Sequence, residues 1–472
     1  MSDIFFGTTT TLNRFSFLRS DSKFIDSLIK NPTAPTRLVF FKQFGKNSIH
    51  PVVHFHKEQI NDESVKISDA KLFVLELNNL PEILREKFLN WSDKNAAHDS
   101  DIRKELTLVF LGMDENNLND KIKFLSCGNE LTLTVKTFTN TGDYSTKINT
   151  ESKSQTQPET ETQPETNPSN LDKYFQYQNY KGVPYFAVDL THCKELEGYI
   201  TNFNSKATQI DYLKSMPELL NLSNNEASIF SYSKTYLDWL MRNQFCPGCG
   251  SKVIPVDAGT KLLCTNFETI EQNDETDSSS SKLPPVPACP AKQTSVNNVC
   301  FPRSDPVIIV GIISSDGKKI LLGNNRRHSF RDGKHKMYSC IAGFMEPGET
   351  IEEATIREIW EETGCKASDV KIMRSQPWPF PSSLMIGCLG VVEFNGSNEK
   401  INLTHDNELE ECYWFDVEDI RRITKIEDLK SDIIDKEEYL KYVSLPTRKS
   451  IAFTLIDNVV NGNIKSIKDA HI

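Results

Sequence analysis

No apolar run in this chain is long enough to cross a bilayer as a helix. The best candidate, Val307 to Ile313, is seven residues long and reads as a buried strand. Met1 to Gly7 lacks the basic-then-apolar layout of a secretory signal. Positive charge is also in short supply: 54 Lys and Arg face 65 Asp and Glu, a net charge of −11. Such an acidic chain is a poor non-specific nucleic-acid binder, because neutralising phosphates needs a basic surface. A local basic pocket for a small phosphate ester stays open. A disulfide framework is missing too. Of the 11 cysteines, four lie in a metal-like cluster and the rest are scattered singly, so metal binding is the better reading of them.

What is present is enough chain for two or three domains: 472 residues, 38% hydrophobic and 25% charged, a soluble globular balance with polar excursions. Two low-complexity stretches interrupt it. Residues 149–170 carry TQPET twice and no large apolar side chain, and residues 268–287 are acidic and serine-rich. Neither can bury enough surface to offset chain entropy, so both are expected to be disordered insertions. Before and after the first, Arg37–Phe41, Leu72–Leu75, Leu106–Leu111 and Phe186–Leu190 read as strands of one α/β domain, and a helix near Asn225–Arg242 leads into the cysteines. From about Asp305 strands and helices alternate. Val307–Ile313 and Lys319–Leu322 flank a Ser-Asp-Gly turn, Thr350–Glu362 reads as a helix stopped by Gly364, and Ser450–Val460 has helical apolar spacing.

The strongest chemical signal is AGFMEPGETIEEATIREIWEETGC, from Ala342 to Cys365. Glu358 lies three residues before Glu361 and four before Glu362, so a helix puts these carboxylates on one face. Like charges there repel, and a hard divalent cation relieves them. Mg²⁺ takes oxygen ligands and bridges carboxylates to substrate phosphates. A solvated acidic face would explain the glutamates alone. It does not explain nine specified positions over 23 residues, two of them glycine.

That segment resembles the Nudix box, G-x5-E-x7-R-E-U-x-E-E-x-G-U, with Cys365 the one loose fit, in the last apolar slot. The resemblance implies hydrolysis of a nucleoside diphosphate linked to another group. Glu358 and Glu362 would hold Mg²⁺ or Mn²⁺, Glu361 would be a further ligand or place the water, and Arg357 would orient the glutamates. Any of the glutamates could be the base. Downstream, Ser375-Gln-Pro-Trp-Pro-Phe-Pro-Ser-Ser383 holds three prolines that forbid an ordinary helix and predict a rigid extended segment. Trp378 and Phe380 could stack on a base or pack into a core, and Gln376 and Ser383 could hydrogen-bond base or ribose. The segment is similar to the SQPWPFPxS signature of the NADH diphosphatase subfamily. This implies that Gln376, Pro377, Trp378, Pro379, Phe380, Pro381, Ser382 and Ser383 recognise the dinucleotide. The same resemblance adds Glu408 as a metal ligand and Ala342 and Ala452 as backbone oxygens near the metals. It also puts Phe301 where a substrate-contacting tyrosine often stands, here without the hydroxyl.

Cys246-Pro-Gly-Cys249 has the spacing of a zinc-knuckle turn, and Cys264 with Cys289 could complete a tetrahedral site. Cys300 competes with Cys289, because 24 residues separate Cys264 from Cys289. The subfamily carries a Cys₄ zinc ribbon just before its Nudix domain, and Cys289-Pro290 is similar to its CP step. The zinc so implied is structural.

The expected fold is therefore α/β: an N-terminal α/β domain (1–242), a small Cys₄ zinc ribbon (243–303) and a C-terminal Nudix α/β/α sandwich with a mixed sheet (304–472). The implied reaction splits NADH, or NAD⁺ and related dinucleotides, into nicotinamide mononucleotide and AMP. NAD-capped RNA is a rival substrate for the same bond chemistry, and a catalytically dead binding module is a rival of another class. A homodimer is expected from the family. The ending Ala470-His471-Ile472 resembles a variant peroxisomal address that an import receptor would read; otherwise the chain is expected in the cytoplasm.

Overall fold

The computed structural model describes residues 5–7, 12–45, 48–61, 64–67, 70–91, 105–115, 134–138, 144–148, 174–178, 180–205, 208–266, 289–293, 300–325, 335–406, 408–425 and 442–461. The two low-complexity insertions and the terminal tripeptide Ala470–Ile472 lie outside them. The chain divides into two compact units, but not in three consecutive blocks. Thr11–Leu213 and Leu240–Phe301 form one unit; Met1–Thr10, Lys214–Trp239 and Pro302–Ile472 form the other. Relative to the expected boundaries, the first residues and most of the helix before the cysteines join the C-terminal unit, and the ribbon joins the N-terminal one. Apolar contacts made far along the chain, described below, draw these pieces together.

The N-terminal unit is built on a mixed sheet. Strands β1 (Arg37–Phe44), β2 (Ser48–Asn61), β3 (Thr107–Asp114), β4 (Tyr180–Asp189) and β5 (Thr208–Tyr212) lie in the order β3-β4-β1-β2-β5, with β4 and β1 parallel and the other pairs antiparallel. Leu72–Leu75 is not one strand: Lys71–Leu72 pairs with β2 and Val74–Glu76 with β1, so Phe73 marks a switch of partner. Helix α1 (Ser22–Lys30) starts where Asp21 accepts hydrogen bonds from the Lys23 and Phe24 N–H groups. It buries Phe24, Ile25, Leu28 and Ile29, one helical stripe, into the core shared with Leu38, Phe40, Phe110 and Phe186. The cysteine ribbon, strands β6 (Val253–Val256) and β7 (Lys261–Cys264), docks on this sheet through its turn. Phe110 N–H donates to Ala258 O at 3.0 Å. Gly259, at φ +78°, leaves no room for a Cβ, which would stand 2.2 Å from Leu108 O.

In the other unit, helix α2 (Asn224–Arg242) is capped by Ser223 and Glu226, each side chain accepting from the other's backbone N–H. Next come β8 (Asp305–Ser314), β9 (Lys319–Asn325), β10 (Ile341–Phe344), α3 (Ile351–Thr363), β11 (Ala367–Trp378), β12 (Ser383–Val392), β13 (Leu409–Asp416), α4 (Val417–Thr424) and α5 (Ile451–Val460). The sheet runs β11-β12-β8-β9-β13, mixed because β8 and β12 are parallel. β8 alternates strictly. Ile308, Val310 and Ile312 point into a core under α3 with Ala354 and Ile359, while Ile309 points into a core under α5 with Leu455 and Ile456. Two such cores on opposite faces of one sheet make the expected α/β/α sandwich. One edge of β8 is shared: Ile312 and Ile313 pair with β9, but Val307–Val310 pair with β10. This sharing brings β10 beside the sheet and sends its chain into α3.

Candidate active site and cysteine cluster

Helix α3 is fixed at both ends by its own sequence. Thr350 and Glu353 form a capping box, with Thr350 Oγ1 accepting from Glu353 N at 3.2 Å and Glu353 Oε2 from Thr350 N at 3.0 Å. Gly364, at φ +74°, ends it, and Asn402 packs so close that a Cβ there would come within 2.7 Å of its Cβ. Between the caps the helix presents Glu358, Glu361 and Glu362 as the spacing predicts.

Arg357 organises them. Its Nε and Nη2 donate to the two oxygens of Glu349 at 2.6 and 2.8 Å, and Nη2 also reaches Phe344 O at 2.8 Å. Its Nη1 donates to Glu358 Oε1 at 2.7 Å and Glu361 Oε2 at 2.9 Å. A planar five-donor guanidinium suits this fork; a lysine could not reproduce it. The paired charge holds Glu349 down at about 2 and pushes Arg357 further up. Glu349 fills the G-x5-E position of the motif, and its carboxylate is tied to Arg357 eight residues on.

Glu358 and Glu362 are 8% and 5% exposed, almost never the state of an unpaired glutamate. Burial raises the Glu358 carboxyl against the pull of Arg357. Glu362 is pushed up to about 8 by burial, then by the charges of Glu358, Glu408 and Asp406, and the Ala342 backbone pulls it only partly back. Glu408 therefore stands in the same field of charge although it comes from the exposed start of β13, and Asp406 is a neighbour that the motif did not flag. The Glu358 carboxyl lies directly over Gly343, where a Cβ would stand 2.0 Å from Glu358 Cδ. The first glycine of the motif is thus a place for a carboxylate rather than a turn.

The remaining sequence-predicted residues spread out. Ala342 sits in β10 opposite Ile309. Ala452 lies in the α5 core, its carbonyl accepting from Cys340 Sγ at 3.6 Å. The proline segment is extended only as far as Trp378. Pro379–Ser382 turn the chain into β12 through a cis Phe380–Pro381 bond, because β11 and β12 are adjacent antiparallel strands. Pro377 pairs with Leu384 inside the ladder, Pro379 is buried and Pro381 exposed. Ser382 Oγ donates to Arg303 O at 2.9 Å, and Ser383 pairs with Trp378. Gln376 corrects the expectation of a contact with base or ribose. It is 2% exposed; its Nε2 donates to Phe5 O and Lys449 O at 3.0 and 2.9 Å, and its Oε1 accepts from Ile451 N at 2.7 Å. A buried amide satisfied by three backbone groups serves the fold. Phe301 belongs to the other unit, 43% exposed, with Lys261 Nζ 5.8 Å from its ring centre.

One feature had no signal in the sequence. A cavity of about 740 Å³ is lined by Lys336, Tyr338, Glu411, Tyr413, Phe415 and Tyr442 among others. Glu411 accepts from Lys336 and from Tyr413 Oη (2.9 Å). Its strand β13 is the one that Glu408 immediately precedes, and the lining residues are too far apart in the chain to read as a group.

In the N-terminal unit the Sγ atoms of Cys246, Cys249, Cys264 and Cys289 all lie within 4.8 Å of one another, with Cys246–Cys289 and Cys249–Cys264 at 3.5 Å. Cys300 is not in the group; its carbonyl pairs with Leu262 N at 3.0 Å. Cys289, not Cys300, completes the group of four thiols. Four thiols so close cannot all ionise without a cation: the Ser251 hydrogen bonds lower Cys249 to about 6, while burial raises Cys264 to about 12. A closed set of four sulfurs fits structural zinc. Among the described residues this is the group whose ligand atoms all meet that 4.8 Å limit.

Comparison with known proteins converges on the same two places. The NUDIX domain model matches residues 302–436, and the NADH pyrophosphatase zinc ribbon domain model matches residues 242–266. The chain is 41% identical over 307 residues to NAD-capped RNA hydrolase NPY1 of Saccharomyces cerevisiae, covering 63% of this chain and 72% of the relative. The chain belongs to the Nudix hydrolases of the NADH diphosphatase family. It is 35% identical over 285 residues to the NAD-capped RNA hydrolase of Schizosaccharomyces pombe, covering 59% of this chain and 67% of that one. With NAD-capped RNA hydrolase NUDT12 of Homo sapiens it shares 36% identity over 248 residues, 52% of this chain and 45% of the relative. The ribbon model stops at residue 266, and Cys289, beyond it, joins the group of four thiols.

Proposed function

We propose that the protein hydrolyses the pyrophosphate linkage of NAD-type dinucleotides, as free NADH or NAD⁺ and as the 5′ cap of RNA, giving nicotinamide mononucleotide and AMP or its RNA-linked form. The observation that carries this reading is Glu362, a buried carboxyl whose ionised form is opposed by Glu358, Glu408 and Asp406. Such a group stays in a fold at this cost when a cation compensates it. Glu358, Glu362 and Glu408 would be the oxygen donors for Mg²⁺ or Mn²⁺, with the Ala342 backbone beside them. The ion, when bound, neutralises the phosphoryl oxygens and acidifies the attacking water.

The chain's own residues do the rest. Arg357 fixes Glu358 and Glu361 in place, so neither must be ordered during the reaction. Glu361 keeps a 39% exposed side chain with one oxygen on Arg357 and would orient or deprotonate the water. Water's oxygen becomes bonded to one phosphorus as the bridging P–O bond breaks, and the bridging oxygen leaves with the other phosphate. Trp378, Phe380 and the turn that carries them bind the dinucleotide, and the family suggests a homodimer, which light scattering would test.

The test is chromatographic product analysis with purified protein, Mg²⁺ and either NADH or NAD-capped RNA, beside Glu362→Gln. Reduced mononucleotide and AMP, lost in the variant, are expected. A wild-type protein that binds both substrates and cleaves neither would instead make it a binding module.

A further inference from the structure

The turn at Trp378–Phe380 is held by residues more than 370 positions away in the chain. Phe5 and Phe6 are 3% and 2% exposed. The Phe6 ring meets Trp378 edge-on at 5.6 Å and Phe380 at 5.8 Å, and Phe230 of α2 closes the cluster at 6.0 Å from Phe6 and 6.2 Å from Phe380. Offset and edge-on rings at these separations attract beyond their area burial, and only in a restricted geometry. Lys234 Nζ, paired with Asp238, lies 5.5 Å from the Phe380 ring centre, and Lys449 Nζ lies 4.5 Å from that of Phe5.

The backbone shows the same organisation. Phe6 sits at φ +66°, a conformation that a bulky side chain avoids unless its surroundings dictate it. Gln376 holds the preceding carbonyl: one amide joins Phe5 O, Lys449 O and Ile451 N, tying the strand that enters the turn to residue 5 and to the start of α5. Any apolar filler would keep this core dry. The directional amide and the ring edges do more, because they fix where the Trp378 and Phe380 faces point.

We propose that Phe5, Phe6 and Gln376 form a clamp of positioning residues that sets the orientation of the Trp378–Phe380 turn for its dinucleotide. The role rests on the reading of that turn as substrate-binding. Without the clamp the turn still forms, as the β11–β12 ladder requires, but its aromatic faces sample several orientations and substrate binding weakens.

The experiment compares full-length wild type, Phe6→Ala and Phe6→Leu. It reads kcat and KM for NADH, the Mg²⁺ concentration at half-maximal thermal stabilisation, and hydrogen exchange of residues 376–383. Phe6→Ala is expected to raise KM about tenfold with kcat within threefold and the Mg²⁺ midpoint unchanged, and to speed exchange in 376–383. Phe6→Leu, which keeps most of the volume and guards against a simple failure to fold, should recover part of the KM. Wild-type exchange and KM in a folded Phe6→Ala protein would overturn the clamp. So would an equal fall in kcat and Mg²⁺ response, the mark of general loosening. Should the wild type cleave no NADH, the functional reading fails, and faster exchange confined to 376–383 still supports the clamp as a structural device.

Discussion

Gly343 and Glu362 are the two positions where single atoms decide the chemistry. Gly343→Ala would drive a methyl into the space of the Glu358 carboxyl, 2.0 Å away at Cδ, and Glu358 would have to swing off Arg357. Activity should fall about a hundredfold or more, while circular dichroism stays native. A variant with near-normal turnover would show that Glu358 need not sit there. Glu362 yields a prediction in pH. Its carboxyl titrates near 4.5 when unfolded and at about 8 in the metal-free fold. Between those values the folded state holds the extra proton, so the stability of metal-free protein should fall as pH rises from 4.5 to 8 and level off above. Glu362→Gln removes that slope. Melted without metal at pH 8, it should gain several degrees over wild type, with little difference at pH 4.5; equal melting curves at both pH values would remove the argument from burial.

At the scale of elements, α3 is the unit that works, and its ends matter as much as its glutamates. Gly364→Ala must adopt φ +74° and meet Asn402 at 2.7 Å, so it should cost roughly 1–3 kcal/mol in urea unfolding. A neutral result would mean that the 400–404 loop gives way freely. The helix, its stop at Gly364 and its carboxylate face were legible in the sequence because each depends on neighbours within one or two turns. So were β8, β9 and the turn between them. The proline segment was legible only in part. Its prolines exclude a helix, but whether they extend or turn depends on the adjacent strand β12, and Pro379–Ser382 turn. Gln376 was misread for a related reason: a polar side chain in a substrate signature looks like a ligand contact until its three backbone partners come in from distant segments.

Over the whole molecule, the chain leaves the C-terminal unit after its first residues, builds the N-terminal sheet, returns to contribute most of α2, and leaves again to form the ribbon before Pro302. The ribbon is the part most dependent on long-range closure. Cys289→Ser should abolish stoichiometric zinc and lower the melting temperature by several degrees, since a closed site contributes binding energy directly to folding. Cys300→Ser should retain one zinc per chain by atomic absorption. Loss of zinc in the Cys300 variant alone would reverse the ligand assignment.

The sequence by itself determined the things that local chemistry can write: the carboxylates on one helix face, the glycine that stops that helix, the cysteine pair, the buried strand beside it, and the family. Tertiary structure decided the rest, because it concerned groups that meet only when distant segments pack. It chose Cys289 over Cys300, raised Glu362 by burying it and by the charges of Glu358, Glu408 and Asp406, made Gly343 a seat for Glu358, and put Phe5 and Phe6 against the proline turn. None of these leaves a periodicity or a spacing in the chain, since each is a contact between surfaces whose separation in sequence is set by everything folded in between.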